Sequence, residues 1–167
     1  QHQAFHLVPL LWRFHMMHHS DLDLDVSSGV RFHPVEIVIS LMVKGAAVIA
    51  LGVSPLAVVV FEIVLNSTSL FNHSNVRMPL SIEPFLRWFI VTPDMHRIHH
   101  SVDPRETNSN YGFNVPWWDR LFGTYCPEPR LGQTGMTIGL EHLSAAVCFH
   151  LFLMLRFPFV PTIRRYA

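Results

Sequence analysis

The sequence predicts an all-α protein, a helical bundle that is embedded in a membrane. The first observation is an apolar segment, residues 35–72, that is long enough for two helices. The second is a set of histidines spaced three and four residues apart, which is the spacing of one helix face. With 167 residues the chain has the length of one domain, and we expect residues 1–167 to form a single one.

The apolar segment has the pattern of a helical hairpin. Residues 35–51 carry only Glu36 and Lys44 as charged side chains, and residues 56–71 carry only Glu62. A Gly-Val-Ser-Pro sequence separates the halves, and it suits a tight reversal because proline cannot continue the first helix. Each half is near the lower limit of about 17–25 residues for a spanning helix. We expect two helices that fold back into one leaflet or barely span the bilayer; a buried hairpin of a soluble protein is the alternative.

Aromatic and basic residues beside the apolar segments favour the membrane interpretation, since tryptophan and arginine are frequent at headgroup level. The candidates are Trp88, Trp117, Trp118, Arg156, Arg164 and Arg165. A further apolar stretch, residues 140–159, includes His142, His150 and Arg156. It is either a third apolar helix or a helix that lies in the membrane interface.

Charge and cysteine content exclude several other classes of protein. Twelve acidic and twelve basic residues balance, so no basic surface for nucleic acid is expected. The two cysteines, Cys126 and Cys148, are far apart and predict neither a disulfide framework nor a thiolate metal site. We expect both to be ordinary buried thiols.

Histidine is the unusual component, with twelve residues, as many as lysine and arginine together. Eight of the twelve form three groups with helical spacing: His2 with His6; His15 with His18 and His19; and His96 with His99 and His100. Pro9 before the second group and Thr92-Pro93-Asp94 before the third are typical of helix starts. Imidazole is a neutral ligand that suits iron, zinc and copper, and eight imidazoles can fill most of the coordination positions of two metal ions.

The order of the motifs resembles the fatty acid hydroxylase superfamily, including the sterol desaturase-like enzymes. The segments that carry the resemblance read HxxxH, LWRFHMMHHSD, RFHPVE, FNHSN, HRIHHS, NYG and WDRLFGTY, at residues 2–6, 11–21, 31–36, 71–75, 96–101, 110–112 and 118–125. The resemblance implies an all-helical membrane fold with a dimetal site on the cytosolic side. It also implies membrane helices ahead of the first motif, and because the motifs begin at His2 we expect this chain to lack that upstream part.

The resemblance assigns the metal ligands residue by residue. It implies that His2, His6, His15, His18, His19, His96, His99 and His100 bind two iron ions. His73, just after the apolar segment, is expected to be a further ligand, with a supporting role as the alternative. His33 is expected to support the site or the fold, and His142 and His150 to be structural or interfacial. No other catalytic residue is predicted.

Metal-bound imidazoles usually donate their second N–H to a carboxylate or carbonyl oxygen. The carboxylates considered for that role are Asp21, Asp25, Glu62, Asp94, Asp103 and Asp119, and the sequence does not choose among them. The NYG and WDRLFGTY segments contain no ligand, and we expect a turn followed by a short amphipathic helix that ends at Gly123.

The function that the resemblance implies is the oxygen-dependent hydroxylation or desaturation of a lipid C–H bond by a non-haem di-iron enzyme. The lipid would be a sterol, a fatty acid or a sphingolipid, and dioxygen the co-substrate. The sequence has no GxGxxG, no CxxCH and no cysteine set for an iron–sulfur cluster. An external electron donor is therefore expected, either cytochrome b5-like, ferredoxin-like or a reductase. The expected location is the bacterial inner membrane or the endoplasmic reticulum, with the site facing the cytosol.

Two other classes of protein are compatible with a histidine-rich sequence. A membrane zinc-dependent hydrolase is one, although one catalytic zinc needs far fewer histidines and no HExxH supplies a general base. A non-enzymatic metal-binding or transport protein is the other. Transport sites usually lie within spanning helices, whereas these clusters flank the apolar segment.

Overall fold

The computed structural model describes residues 1–141 and 143–160, and the named secondary-structure elements of this part of the chain are all helices. The α-helices are α1 (His2–Leu7), α2 (Pro9–His19), α3 (Pro34–Leu51), α4 (Pro55–Asn72), α5 (Glu83–Leu86), α6 (Pro93–His99), α7 (Pro104–Thr107), α8 (Trp117–Phe122), α9 (Gly132–Gly135), α10 (Ala145–Cys148) and α11 (Leu151–Met154). Val26–Val30 and Phe157–Phe159 form short 3-10 helices. Within the described residues the only extended pairing is an isolated bridge between Ser101 and Ile138. The predicted all-α fold is confirmed.

The two long helices, α3 and α4, cover the apolar segment and are joined by a short reversal. α3 ends at Gly52, which adopts the left-handed conformation with φ of 63° that glycine tolerates best. The Ser54 side chain then accepts a hydrogen bond from the backbone N–H of Ala57 and caps α4. Lys44 on α3 and Glu62 on α4 form a side-chain contact between the two helices.

Most side chains of α3 and α4 are exposed. Each helix has 18 residues, with a mean hydropathy of 1.9 for α3 and 1.4 for α4, so both are long and apolar enough to cross a membrane. Only Glu36 on α3 and Ser69 and Asn72 on α4 are buried, and all three are polar. A hairpin in the core of a soluble protein would instead bury its apolar side chains.

Two of the predicted helix boundaries are confirmed. α6 begins at Pro93, and the Thr92 hydroxyl accepts a hydrogen bond from the backbone N–H of Met95. α8 ends at Gly123, which has a φ of 71°. In both places a local chemical signal, a hydroxyl cap or a glycine, specifies the boundary without help from tertiary contacts.

The prediction of a single helix across residues 140–159 was wrong. The described part of this stretch breaks into α10, α11 and a 3-10 turn, because the backbone is extended at His150 and proline occupies position 158. The break lets Met154 and Phe157 pack against α2, where they join Trp12, Met16 and Met17 in the main apolar cluster. This packing supports the helix that carries the second histidine motif.

The cysteines and the aromatic and basic residues that were predicted to lie at the membrane surface differ in exposure. Cys148 is buried as expected, whereas Cys126 is partly exposed. Trp88, Trp117 and Trp118 are each more than half exposed, and Arg156 is also exposed. His142, Arg164 and Arg165 lie outside the described residues.

Replacing Phe157 with alanine is expected to lower the free energy of unfolding by about 3–5 kcal/mol, the usual cost of removing a buried phenylalanine. Phe157 is 1% exposed, whereas Phe159, two residues away, is 73% exposed. Phe159→Ala is therefore the matched control and should change stability by less than about 0.5 kcal/mol. Thermal unfolding of the purified variants measures both effects. Equal losses would show that the C-terminal segment does not pack on α2 as described.

Candidate metal centre

Nine histidines converge in the structure and separate into two adjacent clusters. The first, called the five-histidine cluster, contains His2, His6, His15, His19 and His99. The second, called the four-histidine cluster, contains His18, His73, His96 and His100. Within each cluster the candidate ligand nitrogens all lie within 4.8 Å of one another. These are the nine residues that the sequence singled out as ligands.

Helix geometry explains how each HxxHH motif contributes to both clusters. Residues four apart lie on one face, so His15 and His19 of α2 enter the five-histidine cluster together. His18 is rotated by about 100° from His19 and enters the other cluster. At the end of α6 the doublet of His99 and His100 divides in the same way.

The remaining members come from single elements. α1 supplies His2 and His6 to the five-histidine cluster, four residues apart on one face. His73 caps the C-terminus of α4, where it lies against the backbone of Gly29 and Ser69. A β-carbon at Gly29 would approach the His73 ring to 3.2 Å, so a residue without a side chain suits this position.

The spacing of the nitrogens fits metal coordination. In the five-histidine cluster the Nε2 atom of His2 lies 3.1 Å from those of His15 and His99. In the four-histidine cluster, Nε2 of His73 lies 3.2 Å from that of His18 and 3.0 Å from that of His96. Ligands at about 2.1 Å from one metal ion and at right angles to each other are about 3.0 Å apart. Both clusters therefore have the dimensions of a coordination shell.

The outward ring nitrogens fix the tautomers of three members of the five-histidine cluster. His2 Nδ1 donates to the carbonyl oxygen of Tyr111, and His99 Nδ1 donates to that of Ser109, each at 2.7 Å. His15 Nδ1 donates to Oε1 of Glu36, also at 2.7 Å. Because these oxygens only accept, the proton of each neutral ring is on Nδ1 and Nε2 carries a lone pair.

The inner faces of these rings therefore bring lone pairs together. His2 Nε2 faces two other unprotonated nitrogens at 3.1 Å, an arrangement that a cation between them stabilises and that hydrogen bonding does not. Further ring nitrogens are buried and have no hydrogen-bond partner among the described residues: His6 Nδ1 and Nε2, His19 Nδ1 and Nε2, and Nδ1 of His18, His96 and His100. The donor set fits two metal ions.

Burial keeps the imidazoles neutral. It lowers the pKa of His99 to about 3 and that of His73 to about 4. Burial, followed by repulsion from neighbouring histidines, holds the pKa of the following six well below the ordinary value: His2, His6, His18, His19, His96 and His100. Neutral imidazole is the form that binds metal, so the site is in its ligand form at neutral pH.

Glu36 is the one acidic side chain in hydrogen-bond contact with a cluster histidine in the described part of the chain. It is 5% exposed and lies in the first turn of α3. It was not among the carboxylates considered from the sequence, although the RFHPVE segment contains it. The signal that could have found it is that Glu36 is the one acidic residue in this apolar helix.

The NYG segment, residues 110–112, contains no metal ligand, but it positions the ring of His2. The sequence did not indicate this role. Asn110 adopts a φ of 48°, a left-handed conformation that asparagine tolerates, and its side chain bonds the carbonyls of Met95 and Cys126. This turn presents the Tyr111 carbonyl to His2. Burial raises the pKa of the Tyr111 hydroxyl to about 12, so it stays protonated.

Asp119, in the WDRLFGTY segment, holds this turn in place. Its carboxylate accepts hydrogen bonds from the backbone N–H groups of Tyr111 and Gly112, each at 2.8 Å, and from the Thr124 hydroxyl at 2.7 Å. Asp119 was one of the six carboxylates considered as partners of the metal site, and it acts on His2 indirectly, through the backbone of Tyr111.

The other predicted carboxylates have different contacts. Asp21 pairs with Arg31, and Glu62 pairs with Lys44. Asp25 and Asp103 cap short helices, and the carbonyl of Asp94 accepts a hydrogen bond from Gln133.

The two remaining histidines that the structure describes, His33 and His150, lie outside the clusters. His33 caps α3 by accepting a hydrogen bond from the backbone N–H of Val35, and its ring contacts Phe14. It therefore supports the fold beside the site. His150 precedes α11, is exposed and contacts Phe152.

Fold and site together define an all-helical protein with two candidate membrane helices and a buried, histidine-rich double cluster. The family model of fatty acid hydroxylases matches residues 1–124. The chain belongs to the fatty acid hydroxylase family, as the order of its motifs predicted.

Several relatives are lipid-oxidising enzymes by name. Ornithine lipid hydroxylase OlsE of Rhizobium tropici is 36% identical over 141 residues, which is 82% of this chain and 40% of the relative. Alkylglycerol monooxygenase of Xenopus tropicalis is 30% identical over 140 residues, 81% of this chain and 29% of the relative. Sphingolipid C4-hydroxylase sur2 of Schizosaccharomyces pombe is 26% identical over 128 residues, 75% of this chain and 43% of the relative. The chain thus spans less than half the length of these relatives. No solved structure matches it.

Proposed function

We propose that this protein is a membrane-bound, non-haem di-iron oxygenase that hydroxylates a C–H bond of a lipid. The observation that carries the proposal is the double cluster, in which nine imidazoles, eight of them buried, bring their ring nitrogens together in two adjacent groups. A single catalytic zinc usually takes three protein ligands and a water, so this donor set favours two metals. The relatives are named hydroxylases and monooxygenases, which favours oxygen insertion over desaturation.

In this proposal His2, His6, His15, His19 and His99 hold one iron, and His18, His73, His96 and His100 hold the other. Bound iron supplies the activation of dioxygen and the oxidising power to break a C–H bond. One oxygen atom enters the C–H bond and the other leaves as water, with two electrons and two protons consumed. The electrons come from an external donor, of the cytochrome b5-like, ferredoxin-like or reductase type.

The protein's own contribution is to orient the ligands and to exclude water. Glu36 and the carbonyls of Tyr111 and Ser109 fix the ring orientations before metal binds. His18, stacked on Phe32, is fully buried with most of the other cluster histidines, so bulk water has little access. Because these contacts orient the rings in advance, metal binding requires little reorganisation of the ligands.

The exposed apolar surface of α3 and α4 supports a location in the membrane. The first turn of α3 lies beside the five-histidine cluster, where Glu36 contacts His15, and α4 ends at His73 of the four-histidine cluster. We therefore propose that α3 and α4 enter the bilayer and that the clusters lie at its surface, on the cytosolic side. The exposed Trp88, Trp117 and Trp118 would lie at headgroup level.

The test is to purify the protein in nanodiscs, measure bound iron, and supply reductant, membrane lipids and isotopically labelled dioxygen. About two iron atoms per chain and a lipid that gains one labelled oxygen atom are expected. Protein without iron and without oxygen uptake would overturn the proposal. Activity that needs neither oxygen nor reductant would indicate a zinc hydrolase, and metal flux across proteoliposomes would indicate a transporter.

A further inference from the structure

A cavity of about 310 Å³ lies between α3 and α4 and reaches the five-histidine cluster. His2 and His15 line it, and so does Glu36, which contacts His15. Ser40 and Lys44 line it one and two helical turns further along α3. The cavity therefore follows α3 for about 12 Å from the level of Glu36, at 1.5 Å per residue.

The lining changes character along this path. Aromatic side chains, Phe5, Phe32 and Phe113, line the cavity together with the two histidines. Two turns along α3 the lining includes the ammonium of Lys44 and the carboxylate of Glu62. A cavity with apolar walls and a local polar site suits a lipid, which has both kinds of surface.

Lys44 and Glu62 form an ion pair across the cavity. Lys44 Nζ lies 2.5 Å from Oε1 of Glu62, and the Asn66 amide donates to Oε2 of Glu62 at 3.4 Å. The side chains of the pair are 31% and 37% exposed, so part of each faces open space. Ionisable residues inside apolar membrane helices are costly and commonly mark a substrate path.

We propose that Lys44, Glu62 and Asn66 bind an uncharged, hydrogen-bonding group of the lipid substrate, either a hydroxyl or an amide. This inference rests on the proposed function, because it assigns part of the substrate to the same cavity. A hydroxyl can accept from Lys44 and donate to Glu62 while the ion pair stays intact. A carboxylate or phosphate would compete with Glu62 for Lys44, and separating that pair in a low dielectric is unfavourable. The apolar part of the lipid then lies toward His2 and His15.

The test compares binding of three probes of equal chain length to the purified protein in nanodiscs: a monoacylglycerol, a fatty acid and an alkane. Displacement of a fluorescent lipid gives each affinity, with and without bound iron. The monoacylglycerol is expected to bind about tenfold tighter than either competitor, the effect of one hydrogen bond to a charged group. Equal binding of monoacylglycerol and alkane, or tighter binding of the fatty acid, would overturn the assignment.

Variants distinguish binding of the lipid's polar group from a purely structural contact between α3 and α4. Lys44→Met combined with Glu62→Leu should reduce the monoacylglycerol preference to less than about twofold while bound iron is unchanged. Lys44→Glu combined with Glu62→Lys keeps donors, acceptors and the pair, and should retain most of the preference. Val43→Leu combined with Ile63→Leu is the control, since both residues are exposed, adjacent in sequence to the pair and outside the cavity lining.

The outcomes distinguish this inference from the proposed function. If the double replacement of Lys44 and Glu62 leaves the preference intact, the pair only braces the helices and the inference is wrong. Lipid preference measured on iron-free protein does not depend on catalysis. If that preference holds while iron and oxygen uptake are absent, the oxygenase proposal fails and the lipid site stands.

Discussion

Replacing His18 with alanine is expected to remove metal from the four-histidine cluster and to leave the five-histidine cluster loaded. The adjacent variant, His19→Ala, acts on the five-histidine cluster instead. Because four ligands drop to three in the first case and five to four in the second, His18→Ala should release metal more readily. Neighbours in sequence would thus report on different metal ions.

The measurement is iron content per chain after dialysis against a chelator, together with the rate of lipid oxidation. The iron content of His18→Ala should fall from about two atoms per chain to about one. The rate should fall by more than about 100-fold in both variants, because removing a ligand costs more than removing a hydrogen-bond partner of a ligand. His150→Ala is the matched control, because this histidine is exposed and lies outside both clusters. Identical iron loss in the two adjacent variants, or full retention in both, would contradict the division into two clusters.

Replacing Glu36 with leucine is expected to weaken metal binding at the five-histidine cluster by about 10- to 100-fold. The carboxylate accepts the Nδ1 proton of His15 at 2.7 Å, which fixes the ring and increases the basicity of Nε2. Glu36→Gln keeps an acceptor oxygen but loses the charge, so its effect should be intermediate. Competition with a chelator, monitored by the release of the first iron ion, measures the metal affinity of each variant.

A smaller effect of Glu36→Gln than of Glu36→Leu would show that Glu36 positions His15. A general loss of folding would not produce this order. The four-histidine cluster should keep its affinity in both Glu36 variants, because the one cluster histidine that Glu36 contacts among the described residues is His15, in the other cluster. Asp23→Asn, at an exposed carboxylate, provides the control for a change of charge. If glutamine and leucine have equal effects, or if both clusters weaken together, Glu36 does not act through His15.

The local features of this protein were accessible from its sequence. Helical spacing identified the histidine motifs, since residues three and four apart share a helix face at any position in a fold. Thr92 and Gly123 specified helix boundaries through their own chemistry, and both boundaries were confirmed. The motif order indicated the family, which the family match confirmed.

The division of the histidines and their supporting contacts were decided by tertiary structure. Which histidine joins which cluster depends on how α1, α2 and α6 pack, and sequence spacing does not contain that orientation. The partners of His15 and His2, Glu36 and the Tyr111 carbonyl, are 21 and 109 residues away in the chain. The packing of Met154 and Phe157 against α2 likewise joins residues that are far apart in the chain.

The sequence by itself determined the residue types, the helical faces that present the imidazoles and the apolar segment, because each depends on backbone geometry over a few residues. Only the tertiary structure decided that the imidazoles form groups of five and four, and that Glu36 supports one of them. The physical reason is that contacts between distant residues depend on the packing of whole helices, which no short stretch of sequence specifies.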